Sequence, residues 1–259
     1  MAIFSDPHPF RWESLIFVLL CMVFARNAAM SFNRYCDKEF DKKNPRTAMR
    51  EIPKGKISAR NALIFTIVNS VLFIISSGYF NKTTLVLSPV ALTIILMYSY
   101  TKRFTFLSHF ILGIGLAIAP AGAYIAVTEQ LSLPVIILSV SVFLWTSGFD
   151  ILYSLQDEEF DRTNNLFSIP ARFGRKNSLI ISALVHTACI AGIIYYTTIL
   201  LPTYIMWSGT VIFTILLIYQ HLIIKINDIS KINIAFGTLN GIASIFFSLM
   251  AIIDLIYTA

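Results

Sequence analysis

Apolar and polar residues alternate along this chain in long blocks. Eight apolar runs can be drawn, at about 12–32, 61–80, 85–100, 106–127, 133–153, 178–198, 202–224 and 233–257. Crossing the roughly 30 Å hydrocarbon core of a bilayer takes about 20 helical residues, since each advances the chain by ~1.5 Å. The run at 85–100 is short for this and has to borrow from its flanking turns. Lipid offers the backbone no hydrogen bonds, so each run must satisfy its own as a helix. The pattern predicts an all-α fold, a polytopic transmembrane bundle of eight helices. Gly113, Gly115, Pro120 and Gly122 in the fourth run allow close helix approach and a kink around a central cavity.

The polar blocks carry the chemistry. Residues 33–47 read Asn33-Arg34-Tyr35-Cys36-Asp37-Lys38-Glu39-Phe40-Asp41-Lys42-Lys43-Asn44-Pro45-Arg46-Thr47. On a helix Asn33, Asp37 and Asp41 share one face, so three oxygen-bearing side chains point at one place, as a hard cation requires. Lys42, Lys43, Arg46 and Arg50 follow, cations suited to phosphate oxygens. A second block, 150–162, again leaves an apolar run and places Asp157 and Asp161 four apart. Asp150 lies two helical turns before Asp157 on nearly the same face, deeper in the span, where an ionisable group is costly unless paired or functional. Glu158 and Glu159 project elsewhere and are expected to be solvated or paired with neighbouring bases.

Both blocks resemble the UbiA superfamily of intramembrane aromatic prenyltransferases, whose members carry NDxxDxxxD after one helix and a YxxxDxxxD-like motif after another. The resemblance extends to Asn44-Pro45-Arg46-Thr47, to Tyr98–Thr105 (Tyr-Ser-Tyr-Thr-Lys-Arg-Phe-Thr) and to Ile169–Gly174, and is closest to the 4-hydroxybenzoate polyprenyltransferase branch. One position departs, since Arg34 stands where the family has its second acid, which removes that position from any metal role. The family usually has nine helices and a cytoplasmic N-terminus. Its usual first helix has no counterpart here, so the resemblance implies a single prenyltransferase domain over 1–259 with that helix missing.

Composition agrees with a bilayer setting, with 56% of residues hydrophobic and 13% charged. Cys21, Cys36 and Cys189 are too scattered for a zinc site or disulfide framework, and Cys36 reads as a small packing residue. The net charge of +6 carries no nucleic-acid motif and is explained by topology. Segments 33–60, 101–105, 154–177 and 225–232 hold 17 of the 20 Lys and Arg residues. The positive-inside rule makes them cytoplasmic, with both aspartate blocks among them, and puts the N-terminus outside. Met1–Arg11 shows neither a cleavable signal nor an Arg- and Ser-rich, acid-poor leader, which points to a bacterial cytoplasmic membrane. Ser58 is the expected N-cap of the second span. Lys54, Lys56 and Arg60 read as lipid-headgroup anchors. His186, His221 and Asp254 stand apart from one another along the last three spans, and the histidines are expected to serve packing or hydrogen bonding.

The resemblance implies transfer of a polyprenyl group from its diphosphate to an aromatic ring in quinone biosynthesis. Asn33, Asp37, Asp41, Asp157 and Asp161 would hold Mg2+ on the diphosphate, with the two acidic helix ends converging on it. Arg46, Arg50 and Lys102 would offset the leaving group's charge, and Arg103 would take the acceptor's carboxylate. Asp150 would order the metal's water shell or face the acceptor with Tyr153, while Arg162 and Arg172 would either close over a phosphate or serve topology. A second acceptor stays open, because Asn33-Arg34 with Asn-Pro-Arg-Thr resembles members assigned to the futalosine route to menaquinone. A membrane transporter, its acids binding protons or cations, is the alternative of another class.

Overall fold

The computed structural model describes residues 11–258; the N-terminal reading beyond Arg11 lies outside them. The described residues are helical throughout apart from turns and one isolated bridge between Lys225 and Asp228. The long helices are α1 (Trp12–Lys43), α2 (Ala59–Ser77), α3 (Lys82–Thr101), α4 (Ser108–Thr128), α5 (Leu133–Ser154), α7 (Ile169–Ile199), α8 (Tyr204–Ile223) and α9 (Asn240–Thr258). A short α6 (Glu158–Thr163) follows α5 after one 3-10 turn, and a π-helical turn, Ile234–Leu239, leads into α9. Among the described residues eight helical segments are long and apolar enough to span a membrane, and large apolar side chains such as Ile75, Leu184, Leu222 and Ile245 remain open on their surfaces. The chain is an integral membrane protein of all-helical fold.

Two helices are longer than their apolar runs. The first does not stop at residue 32; α1 runs 32 residues to Lys43 and carries the whole first acidic block as helix. Arg, Lys and Glu are good helix formers, and Lys42 and Lys43 sit where the helix dipole favours cations. The sixth begins at Ile169, not near 178. Ser168 accepts a hydrogen bond from the Ala171 amide, Pro170 occupies the first turn, and Gly174 at φ 74° absorbs the kink that follows. The third reaches 20 residues once Asn81 caps it, which removes its shortfall.

The chain forms two compact units, one of residues up to 104 with 121–131, the other of 105–120 with 132 onward. In the first, α1 packs along α2 through polar contacts: Asn27 donates to Asn69 at 3.2 Å and Ser31 donates to the Ala62 carbonyl at 2.7 Å. Such contacts hold helices together where lipid removes the hydrophobic drive. Ser58 caps α2 by accepting from the Asn61 amide at 3.1 Å, as expected.

In the second unit α5 lies against α4 and α7. A Cβ on Gly113 of α4 would come within 2.3 Å of Ser147 Oγ, and one on Gly148 of α5 within 2.2 Å of the His186 ring, so both crossings depend on glycine. Gly122 faces open space and makes no such crossing. The core beneath α7, α8 and α9 is built of Cys189, Ile193, Tyr196, Met206, Phe213, Leu217, Ala243 and Phe247. Asp254 caps α8 by accepting from the Thr203 and Met206 amides and the Thr203 hydroxyl.

Candidate active site

The first acidic set lies on the last three turns of α1. Asn33 donates its amide to Asp37 Oδ2 at 3.0 Å, the i, i+4 alignment expected of one helix face. One turn on, Asp41 is only 4% exposed and its Oδ1 takes the Arg50 guanidinium at 2.6 Å. Arg50 reaches it because the turns after α1 fold back; the Thr47 amide donates to the Asn44 carbonyl at 3.0 Å and the Thr47 hydroxyl to that of Asp41 at 3.3 Å. Asp41 Oδ2 is buried with no hydrogen-bond partner. A buried carboxylate oxygen left bare is costly unless something positive meets it.

Arg103, just after α3, closes over the same helix. It donates to the Cys36 carbonyl at 2.6 Å, lies 3.8 Å from Asp37 Oδ1, and its guanidinium covers the rings of Tyr100 and Phe40. Arg34, at the departing position, lies 3.8 Å from Glu51. The set therefore gathers Asn33, Asp37, Asp41, Arg50 and Arg103. Arg46 is fixed by the turn, its amide donating to Asn44 Oδ1 at 3.0 Å. Lys102 forms the end of α3 beside Arg103.

The second set straddles the end of α5. Asp157 closes the 3-10 turn and Asp161 sits in α6, with exposures of 7% and 2%. Glu158 does pair with a base, Arg175 at 3.5 Å, which also donates to the Ile226 carbonyl at 3.0 Å. The Arg172 guanidinium lies 4.2 Å from the Phe106 ring centre, a cation–π contact. Asp150 is on α5 with Tyr153 one turn beyond, and Tyr153 stacks at 4.1 Å on Phe236 of the π-helical turn.

Asp150 has a partner that sequence reasoning overlooked. His109, in the first turn of α4 and wholly buried, places Nδ1 2.6 Å from Asp150 Oδ2, while its Nε2 accepts from the Ile169 amide at 3.3 Å. One signal was present, an ionisable side chain inside an apolar run. His186 and His221, read as standing apart, are hydrogen-bonded to each other at 2.8 Å, and His186 Nε2 lies 3.2 Å from the Trp145 carbonyl. The carbonyl only accepts, so Nε2 carries the proton and the pair serves packing and hydrogen bonding, as expected.

Among the described residues no three His, Cys, Asp or Glu side chains cluster tightly enough to enclose an ion by themselves. Magnesium does not need such a cage. It commonly takes one or two carboxylates and completes its shell with water and substrate phosphate. The bare Asp41 oxygen, with Asp37 one turn away and oxygen donors throughout, fits that demand.

A model of the UbiA prenyltransferase family matches residues 1–250. The 4-hydroxybenzoate octaprenyltransferase of Aliivibrio salmonicida is 31% identical over 215 residues, 83% of this chain and 75% of that protein. That of Photobacterium profundum is 33% identical over 66% of this chain and 59% of that one. Among solved structures, the apo UbiA homolog from Aeropyrum pernix K1 superposes with a TM-score of 0.89 at 30% identity, covering 98% of this chain and 94% of that one. The UbiA homolog from Archaeoglobus fulgidus bound to GPP and Mg2+ shares the fold at a TM-score of 0.68 and 18% identity, over 94% of this chain and 88% of that one. A transporter, the class left open by spans and acids alone, is set aside. The chain belongs to the UbiA prenyltransferase family and is an aromatic prenyltransferase.

Proposed function

We propose that this enzyme transfers a polyprenyl group from polyprenyl diphosphate to the ring of a 4-hydroxybenzoate-like acceptor, with magnesium, at the cytoplasmic side of a bacterial inner membrane. The observation that carries the reading is the buried Asp41 oxygen without a partner, one turn from Asp37 and beside Arg50. The 4-hydroxybenzoate octaprenyltransferases among its relatives supply the acceptor class.

Asn33, Asp37 and Asp41 of the first acidic set, and Asp157 and Asp161 of the second, would each offer oxygens to magnesium. Magnesium, when bound, neutralises diphosphate oxygens and makes diphosphate a better leaving group. Arg46, Arg50 and Lys102 offset the charge that grows on the leaving diphosphate as the allylic carbon–oxygen bond breaks. The allylic cation is then attacked by a ring carbon of the acceptor, a carbon–carbon bond forms, and loss of the ring proton restores aromaticity. Apolar and aromatic side chains keep water from the cation. Arg103 suits the acceptor's carboxylate; one of its five N–H groups is used on Cys36, and the guanidinium stays planar against Tyr100.

The test uses purified protein with radiolabelled prenyl diphosphate. Asp37→Ala and Asp157→Ala should each cut transfer at least about a hundredfold, the scale of losing a charge-stabilising group. Chelation of magnesium should abolish turnover. Magnesium with a prenyl diphosphate should raise the thermal midpoint of the wild type but not of Asp37→Ala. Wild-type turnover in either variant overturns the metal role. Asn33-Arg34 with Asn44-Pro45-Arg46-Thr47, which resemble members assigned to the futalosine route, support a second reading of the acceptor, a futalosine-pathway precursor of menaquinone. Supplying each acceptor with one prenyl diphosphate separates the two.

A further inference from the structure

We propose that His109 is a positioning residue of the transfer reaction, holding Asp150 so that its free oxygen accepts a hydrogen bond from the hydroxyl of the aromatic acceptor. The inference rests on the prenyl-transfer reading above.

Three elements meet at His109. Its ring belongs to α4, Asp150 to α5, and the Ile169 amide to the start of α7. The amide can only donate, so Nε2 is the acceptor and the ring proton sits on Nδ1, which donates to Asp150 Oδ2. Both ring nitrogens are thereby used, and the wholly buried ring is left no free atom to react. It can only orient.

Asp150 is different. Its side chain is 21% exposed and Oδ1 has no hydrogen bond among the described residues, so half the carboxylate is clamped and half is open. Its distance from Asp157 decides what meets the open half. The last turns of α5 and the 3-10 turn that ends at Asp157 together advance the chain by about 10 Å or more, since a 3-10 residue rises further than an α-helical one. Two oxygens on one magnesium lie no more than about 4 Å apart. Asp150 therefore does not share an ion with Asp157. The surroundings are aromatic, with Tyr153 one turn along the helix and stacked on Phe236. A carboxylate oxygen beside aromatic faces suits a ring that carries a hydroxyl donor.

His109→Ala should raise the KM for the aromatic acceptor, or lower kcat with it saturating, by at least about tenfold, leaving the KM for prenyl diphosphate within about twofold. His109→Gln should recover most of the loss, because a carboxamide also offers one donor and one acceptor a ring's width apart. Should His109→Ala fail to fold, Asp150→Asn keeps an acceptor for Nδ1–H and should show the same rise in acceptor KM. Nitrogen-15 shifts of His109 should report a proton on Nδ1. Unchanged acceptor kinetics in a folded His109→Ala or Asp150→Asn protein, or a rise confined to the KM for prenyl diphosphate, overturns the proposal while the prenyl-transfer reading stands. A wild-type protein inactive toward every hydroxylated aromatic acceptor overturns both.

Discussion

Asp41 and Arg50 show how a single pair sets the character of the first acidic set. The carboxylate side chain is 6% exposed and the guanidinium 24%, so their contact at 2.6 Å is largely shielded from water. Removing one partner of such a pair strands the other charge. Arg50→Ala, measured without divalent cation, should lose about 3 kcal/mol of stability, read as a fall in thermal midpoint in detergent. Combining it with Asp41→Asn should recover much of that loss. If Arg50→Ala costs nothing, the pair is less shielded than its burial implies. Asn33, Asp37 and Asp41 could be aligned from the sequence because spacing within one helix is a local property. The Arg50 contact could not, since it depends on how the turns 44–58 fold back.

Helix crossings follow from which glycines are covered. The fourth apolar run offers several small residues that look equivalent along the chain, yet only some meet a neighbour. Gly113 has Ser147 Oγ and the Phe143 carbonyl within 3 Å of a would-be Cβ, whereas Gly122 has nothing within 4 Å. Gly113→Ala should therefore destabilise by about 1–3 kcal/mol through overpacking. Gly122→Ala should be neutral or stabilising by up to about 1 kcal/mol through helix propensity. The thermal midpoint of Gly113→Ala should fall while that of Gly122→Ala holds or rises, and equal shifts would refute this account of α4. Helix ends behaved similarly. Ser58 was legible as a cap because the signal lies within three residues. The starts and stops of α1 and α7 were not, because hydropathy marks where lipid ends and helices continue past it while their polar residues still favour helix.

For the whole molecule, the charge distribution makes a prediction about sidedness. With 17 of 20 basic residues in four segments, reporter cysteines at Lys56 and Asn164, introduced after replacing Cys21, Cys36 and Cys189, should react with impermeant reagents only from the cytoplasmic side. Labelling of either from the outside overturns the topology. The sequence by itself determined the class of molecule. Its apolar blocks count the spans, its loop charges propose an orientation, and its two acidic blocks, with the family they resemble, name the chemistry. These are local or summed properties that survive any folding of the chain. Only the tertiary structure decided which polar groups meet. It joined His109 to Asp150 across 41 residues and His186 to His221 across 35, and it left Asp41 Oδ2 bare. The physical reason is that a buried polar group takes its partner from whatever helix packs against it, and that choice is made by the crossings of helices, which no periodicity in the chain records.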